Sequence, residues 1–312
     1  MRPPRRSRLR RALPWLTAFL LAAPFPVTAD EVEIPLPPLA GVEEVGEAMA
    51  RFEEDFKAKG LKGDDKLMQK DHAVLFLSGV PHPKVIDRLY DLARRDRASE
   101  VRRMALTALG KQSKLAAYAG PKVVQLLEDK KLAKDDDHVL ACLKALGSLG
   151  HHPPVEALEA TLRHKDYAVR KQTLALIGEL KDVRHLESLL RELGTLDAQE
   201  KGESWDGAEA KVDTGSAGDA DQKAAEARAK AEAARNKGAA GGKGKGGGST
   251  RDMKDQLLAS LEGMTGQDFV DQKDAGTWLE KNPQWRPQAE AELEKTLERE
   301  AHLEKELAKA AK

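Results

Sequence analysis

The amino-acid sequence predicts an all-α protein, and three observations carry that prediction. The 312 residues are 33% charged and only 4% aromatic, and the strong helix formers Ala, Leu, Lys and Glu recur throughout. No stretch alternates β-branched with polar residues, as a half-buried strand does. One apolar pattern ending in Leu-Gly or Ile-Gly occurs three times between residues 96 and 178.

In chain order, residues 1–29 read first as a signal peptide. Arg2, Arg5, Arg6, Arg8, Arg10 and Arg11 form a positive start, an apolar run follows from Ala12 to Ala23, and Pro24, Pro26 and Val27-Thr28-Ala29 close it. That is the order of charge, apolar stretch and small-residue cleavage site that export requires. The apolar run is too short to cross a bilayer, which needs about 20 residues. Neither arginine pair is followed by the tail of a twin-arginine signal, and no cysteine follows for lipid attachment. The expected destination is bacterial, periplasmic or secreted, with no transmembrane span after cleavage. Cleavage removes six of the 52 Lys plus Arg and none of the 52 Asp plus Glu, leaving a mature chain near −6. An exported, mildly acidic chain gives no reason to expect a nucleic-acid partner. Cys142 stands alone, so no internal disulfide is possible, and its setting on an apolar helical face predicts a small buried hydrophobe.

Residues 30–42 hold the proline-rich Ile34-Pro-Leu-Pro-Pro-Leu39 and predict an extended segment. Val45, Met49, Phe52 and Phe56 at helical spacing predict a helix over Glu43–Lys59, and a second is expected over Asp64–Ser78. Three segments then align on their last residue: Asp96 to Gly110, His138 to Gly147, and Asp166 to Gly178. Each has leucine four residues before the glycine, and Leu or Ile one before; the glycines are 37 and then 31 residues apart. A shorter apolar helix precedes each segment, at Val85–Ala93, Val123–Leu127 and Val155–Leu162. Pro83, Pro121 and Pro153-Pro154 stand near their starts, where a missing N–H costs nothing. Val183–Leu193 reads as one more first helix without a partner.

The Val101-Arg102 and Val169-Arg170 pairs, followed by Ala/Leu positions and a closing Leu-Gly or Ile-Gly, resemble the HEAT-repeat family in its short bacterial form. The resemblance spans roughly residues 71–194; the middle segment departs from it with His138-Val139. It implies a short α-solenoid over residues 43–194, in which each helix pair is stable only when stacked on neighbours. It also implies that second helices line a concave, partner-binding side, which makes Arg103, Thr107, Lys144 and Lys171 binding candidates. Arg102 and Arg170 are expected to be structural, bonding a neighbouring turn or an aspartate such as Asp96 or Asp166.

Residues 195–248 form a low-complexity linker by composition, unable to bury enough apolar surface to fold. It comprises a polar stretch with Trp205, a charged Ala-rich run over Gln222–Asn236, and a glycine-rich tether over Gly238–Gly248. Residues 249–312 predict a C-terminal helical region opening at Ser249-Thr250. Its Met264-Thr-Gly266, Phe269, Trp278 and Asn282 resemble a tail found at the end of HEAT arrays in exported bacterial proteins. Leu261, Phe269 and Trp278 are expected to cluster. Leu293, Leu297, Leu303 and Leu307 are too unevenly spaced for a sustained heptad.

No catalytic constellation emerges. Lys243 and Lys245 are each followed by glycine rather than Ser or Thr, and no strand precedes them, so the glycine run is a tether and not a phosphate loop. The eight histidines include no His-x-x-x-His pair, and Asp135-Asp136-Asp137 reads as a helix cap. No catalytic residue, metal or cofactor is expected. The leading expectation is an exported, non-enzymatic scaffold that binds another protein. Two others stay open: a structural envelope component whose linker touches anionic polymer or lipid, and a lyase-like enzyme.

Overall fold

The computed structural model describes residues 35–57, 63–200 and 250–311. The segment read as a signal peptide (1–29) lies outside them, as do residues 201–248 of the linker with Trp205, the Ala-rich run and the glycine tether. Among the described residues the fold is all-helical. It has twelve α-helices: α1 (Val42–Phe56), α2 (Gly63–Ser78), α3 (Pro83–Arg95), α4 (Ser99–Gly110), α5 (Ala116–Leu127), α6 (Asp136–Leu149), α7 (Val155–Leu162), α8 (Tyr167–Leu180), α9 (Leu186–Glu200), α10 (Thr250–Thr265), α11 (Gln272–Lys281) and α12 (Trp285–Ala310). No helix among these residues is long and apolar enough to cross a membrane.

Helix starts follow local chemistry. Pro83 occupies the first turn of α3, and the His82 side chain accepts from the Lys84 N–H (3.1 Å). Asp135 caps α6 by accepting from the His138 N–H (3.3 Å), and Asp166 caps α8 by accepting from Val169 (3.1 Å). Each cap satisfies one of the N–H groups a helix start leaves unpaired. The proline expectation fails at one place. Pro121 lies inside α5, which begins at Ala116, earlier than the predicted Val123. Ala116, Ala117 and Ala119 favour helix before the proline, and Gly120 leaves room for the His151 ring.

The helices associate in pairs: α1 with α2, α3 with α4, α5 with α6, α7 with α8. The second members also pack on one another in series, α2 on α4, α4 on α6 and α6 on α8. The leucines four residues before each glycine, Leu106, Leu143 and Leu174, are buried in the resulting core, as are Val101, Ala105, Ala108 and Leu109. The glycines mark the crossings. A Cβ on Gly110 would lie 3.2 Å from the Ala145 Cα, one on Gly147 3.1 Å from Glu179 Oε2, and one on Gly178 only 2.8 Å from the Ser260 Cα. At Gly147 a side chain would meet the movable Glu179 side chain; at Gly110 and Gly178 it would meet the backbone of the next second helix.

The last of those contacts connects the two ends of the segment at 201–249. α10 packs on α8 and also on α9, so it stands to α9 as α8 stands to α7. The helix read as lacking a partner therefore has one, supplied from beyond the linker. Met253, Leu257, Leu261 and Met264 are buried in this seam, and each of the leucines contributes roughly 2 kcal/mol by leaving water. The Ser260 hydroxyl donates to the Leu174 carbonyl (2.7 Å), and a Cβ on Gly263 would meet the Gly178 carbonyl oxygen at 2.8 Å. α9 runs six residues past Gly194, burying Leu196 and Ala198 where composition alone reads as linker. Asp197 on this extension binds Lys254 of α10 (2.7 Å) and accepts from the Gln272 N–H at the start of α11 (2.9 Å).

The aromatic cluster forms with a third member: Phe269 and Trp278 meet edge to face (5.9 Å), and Trp285 stacks on Trp278 in the same way (5.5 Å). From Trp285, α12 runs back along α5, the 183–185 turn and α3, and buries Leu293 and Leu307.

Gly178→Ala is expected to lower stability by about 1–3 kcal/mol, because the new methyl meets backbone at Ser260. Gly46→Ala, in the middle of α1 with open space around it, is expected to gain about 0.5–1 kcal/mol. Urea midpoints at unchanged m-value read both. Residues 36–200 and 250–312 produced as two polypeptides in one cell are expected to co-purify through the α8–α9–α10 seam. Recovery of the first alone would show the seam too weak to hold without the covalent link.

Candidate interaction face

The series α4, α6 and α8 leaves one side of each second helix open. Between α4 and α6 this side forms a groove of about 370 Å³ lined by Arg103, Thr107, Asp137, Leu140 and Lys144. Its floor is of small residues, Gly110, Ala141, Ala145 and Ser148. The floor follows from the crossing at Gly110: helices that approach this closely carry only small residues beside the contact. Three of the four sequence candidates, Arg103, Thr107 and Lys144, thus share one groove. Lys171 does not line it. It lies exposed on α8, seven residues before Gly178, the place Arg103 takes seven residues before Gly110.

The candidates differ in how free their groups are. Arg103 Nη1 donates to Asp137 Oδ2 across the α4–α6 seam (2.7 Å), and its other terminal nitrogen lies 3.7 Å from Glu100. The Thr107 hydroxyl donates to the Arg103 carbonyl on its own helix (3.1 Å). Lys144 and Lys171 are exposed and have no ion pair or hydrogen bond to another side chain among the described residues. The floor residues went unseen in the sequence, although the small residues around Gly147 were a usable signal.

The structure gives Arg102 and Arg170 structural roles. Arg102 donates to the Asp96 carbonyl (3.2 Å) and to Asp135 Oδ2 (3.1 Å), tying α4 to the cap of α6. Arg170 donates to the His164 carbonyl (2.7 Å) and that of Lys165 (3.1 Å), closing the turn before α8. Cys142 is wholly buried, and burial pushes its thiol far above the ordinary range, so no thiolate forms there.

A second cavity, of about 550 Å³, opens where α12 passes the 151–154 loop, the start of α7 and the 183–185 turn. Two of its lining residues, His152 and Arg184, stand against Asp182, which is fully buried behind them. Arg184 donates to both carboxylate oxygens (2.8 and 2.6 Å) and to the Pro153 carbonyl (3.0 Å), while the His152 and His185 rings stand 3.8 and 3.9 Å from Asp182. Burial by itself would raise this carboxyl, but the Arg184 and His152 contacts outweigh it and hold it well below the usual carboxylate range. His151 turns instead toward α12, 2.9 Å from Glu300, with its ring over the bare backbone of Gly120. Folding thus brings His152 to this carboxylate from a distant position in the sequence. Among the described residues no three His, Cys, Asp or Glu side chains converge to hold a metal ion. The carboxylate behind the cavity wall is already neutralised by Arg184, which joins the 183–185 turn to the Pro153 carbonyl.

No protein-family model matches the chain, and none of the curated proteins matches it.

Burial pushes the imidazoles of His138 and His185 below their ordinary value, with nearby arginines acting in the same direction and aspartates against it. Their unfolded value is about 6.5, so below that pH the unfolded chain binds more protons than the folded one. Their contribution to stability is full above pH ~6.5 and declines as pH falls. Asp182, depressed, loses its contribution only once pH drops below about 4. Melting temperature is therefore expected to fall between pH 7 and 5, and His138→Leu to flatten that slope. An unchanged slope in this variant would assign the titration to other groups.

Proposed function

We propose that this chain is an exported, HEAT-repeat-type scaffold, a short α-solenoid that binds another protein along the open side of its second helices. The observation that carries the reading is the groove at the α4–α6 seam. It gathers Arg103, Thr107 and Lys144 from two helices over a floor of small residues. Such a groove admits a partner backbone, and the rim supplies charge and hydrogen bonds for orientation. The pairing of helices and the serial packing of α2, α4, α6, α8 and α10 support the solenoid reading. The buried carboxylates Asp182 and Asp197 are engaged in holding elements together, which favours binding over chemistry.

Export follows from residues 1–29 as read in the sequence, and it sets where the partner is sought. The test is affinity capture from the envelope fraction with the intact mature chain, in parallel with the double variant R103E/K144E. A specific partner is expected with the first and lost with the second, while circular dichroism and melting stay close to wild type, since exposed pairs contribute about 0–1 kcal/mol. Equal capture by both proteins would move the binding face elsewhere, and capture by neither would remove the scaffold reading.

A further inference from the structure

We infer that the open side of α4, α6 and α8 takes an extended acidic peptide segment crossing the three helices; this rests on the scaffold reading and names the class of partner. Three cations stand on three successive helices. Arg103 and Lys171 lie seven residues before their crossing glycines and Lys144 three before its own. Lys144 and Lys171 have no acidic partner among the described residues, although the mature chain as a whole carries excess negative charge.

Spacing gives the partner a pattern. Packed helices lie about 8–10 Å apart, and an extended chain advances about 3.3 Å per residue. A segment laid across the helices therefore presents a carboxylate to each cation when acidic residues recur at about every third position. The one-turn offset of Lys144 is taken up by its flexible four-carbon stem. The small floor of Gly110, Ala141 and Ala145 lets the peptide backbone approach between the first two cations, where bulky side chains would hold it off.

The acidic groups on this face set the competition. Asp137 holds one edge of the Arg103 guanidinium and Glu100 stands near another nitrogen; the exposed Glu179 of α8 reaches over Gly147 of α6, three residues from Lys144. A peptide carboxylate at Arg103 displaces Asp137, so removing that charge favours the peptide.

The experiment is fluorescence anisotropy of the full mature chain with a labelled synthetic peptide bearing glutamate at every third position between serines. Controls are the same composition with the glutamates consecutive, the same spacing with lysine, and anionic phospholipid vesicles. Salt-sensitive binding of the spaced glutamate peptide is expected, weakened at least about tenfold in K144E/K171E at unchanged helicity, and tightened in D137N. No binding, equal binding of the consecutive peptide, equal affinity in K144E/K171E, or binding to vesicles without the peptide would overturn the inference. Capture of a partner in the envelope experiment together with failure here would keep the scaffold and remove its acidic ligand.

Discussion

The structure depends on the close crossing of successive second helices. Gly110, Gly147 and Gly178 each stand where a side chain would meet the next second helix, most severely at Gly178 against the Ser260 backbone. Close approach is what lets the leucines four residues earlier reach a shared core. It also places small residues, Gly110, Ala141, Ala145 and Ser148, at the floor of the crossing, so the groove between α4 and α6 is a by-product of the packing that stabilises the fold. One geometric requirement thus sets both the core and the surface that a partner would meet.

Charged groups in this protein divide by where the core puts them. Arg102, Arg170, Asp182 and Asp197 are buried or half-buried, and each is spent on a turn, a cap or a helix seam. A buried ion with its partner removed would be costly, so these groups cannot be released for binding without loss of structure. Lys144 and Lys171 sit on the side the crossings leave open, where water already solvates them and exchange for a partner's carboxylate costs little. The candidate face therefore combines two cations that the architecture does not use with one, Arg103, that it holds by an exposed pair to Asp137.

Legibility in the sequence followed the range of the interaction. Helices α1, α2, α7 and the closing parts of α4, α6 and α8 could be read because periodic Leu, Ile and Val and a closing glycine are local signals. The Asp135 and Asp166 caps are local too. Pro121 marks no helix start because the alanines before it, Ala116, Ala117 and Ala119, already favour helix. The extension of α9 was hidden because Leu196 and Ala198 are too few to show a period and gain their burial only from distant helices. Three candidate residues proved to share a groove, since equivalent positions in repeated segments face the same way. The floor between them needed the crossing to be known.

The sequence by itself determined the helices and the three repeated segments with their crossing glycines, because each rests on contacts within about four residues along one chain segment. It also determined which cations stand on the second helices. Tertiary packing alone sets α10 beside α9 across the 201–249 stretch, returns α12 over α5 and the 183–185 turn, and brings His152 to Asp182. Those pairings depend on complementary shape and charge between segments far apart in sequence. A hydrophobic period shows that a helix face will be buried; it carries no information on what buries it.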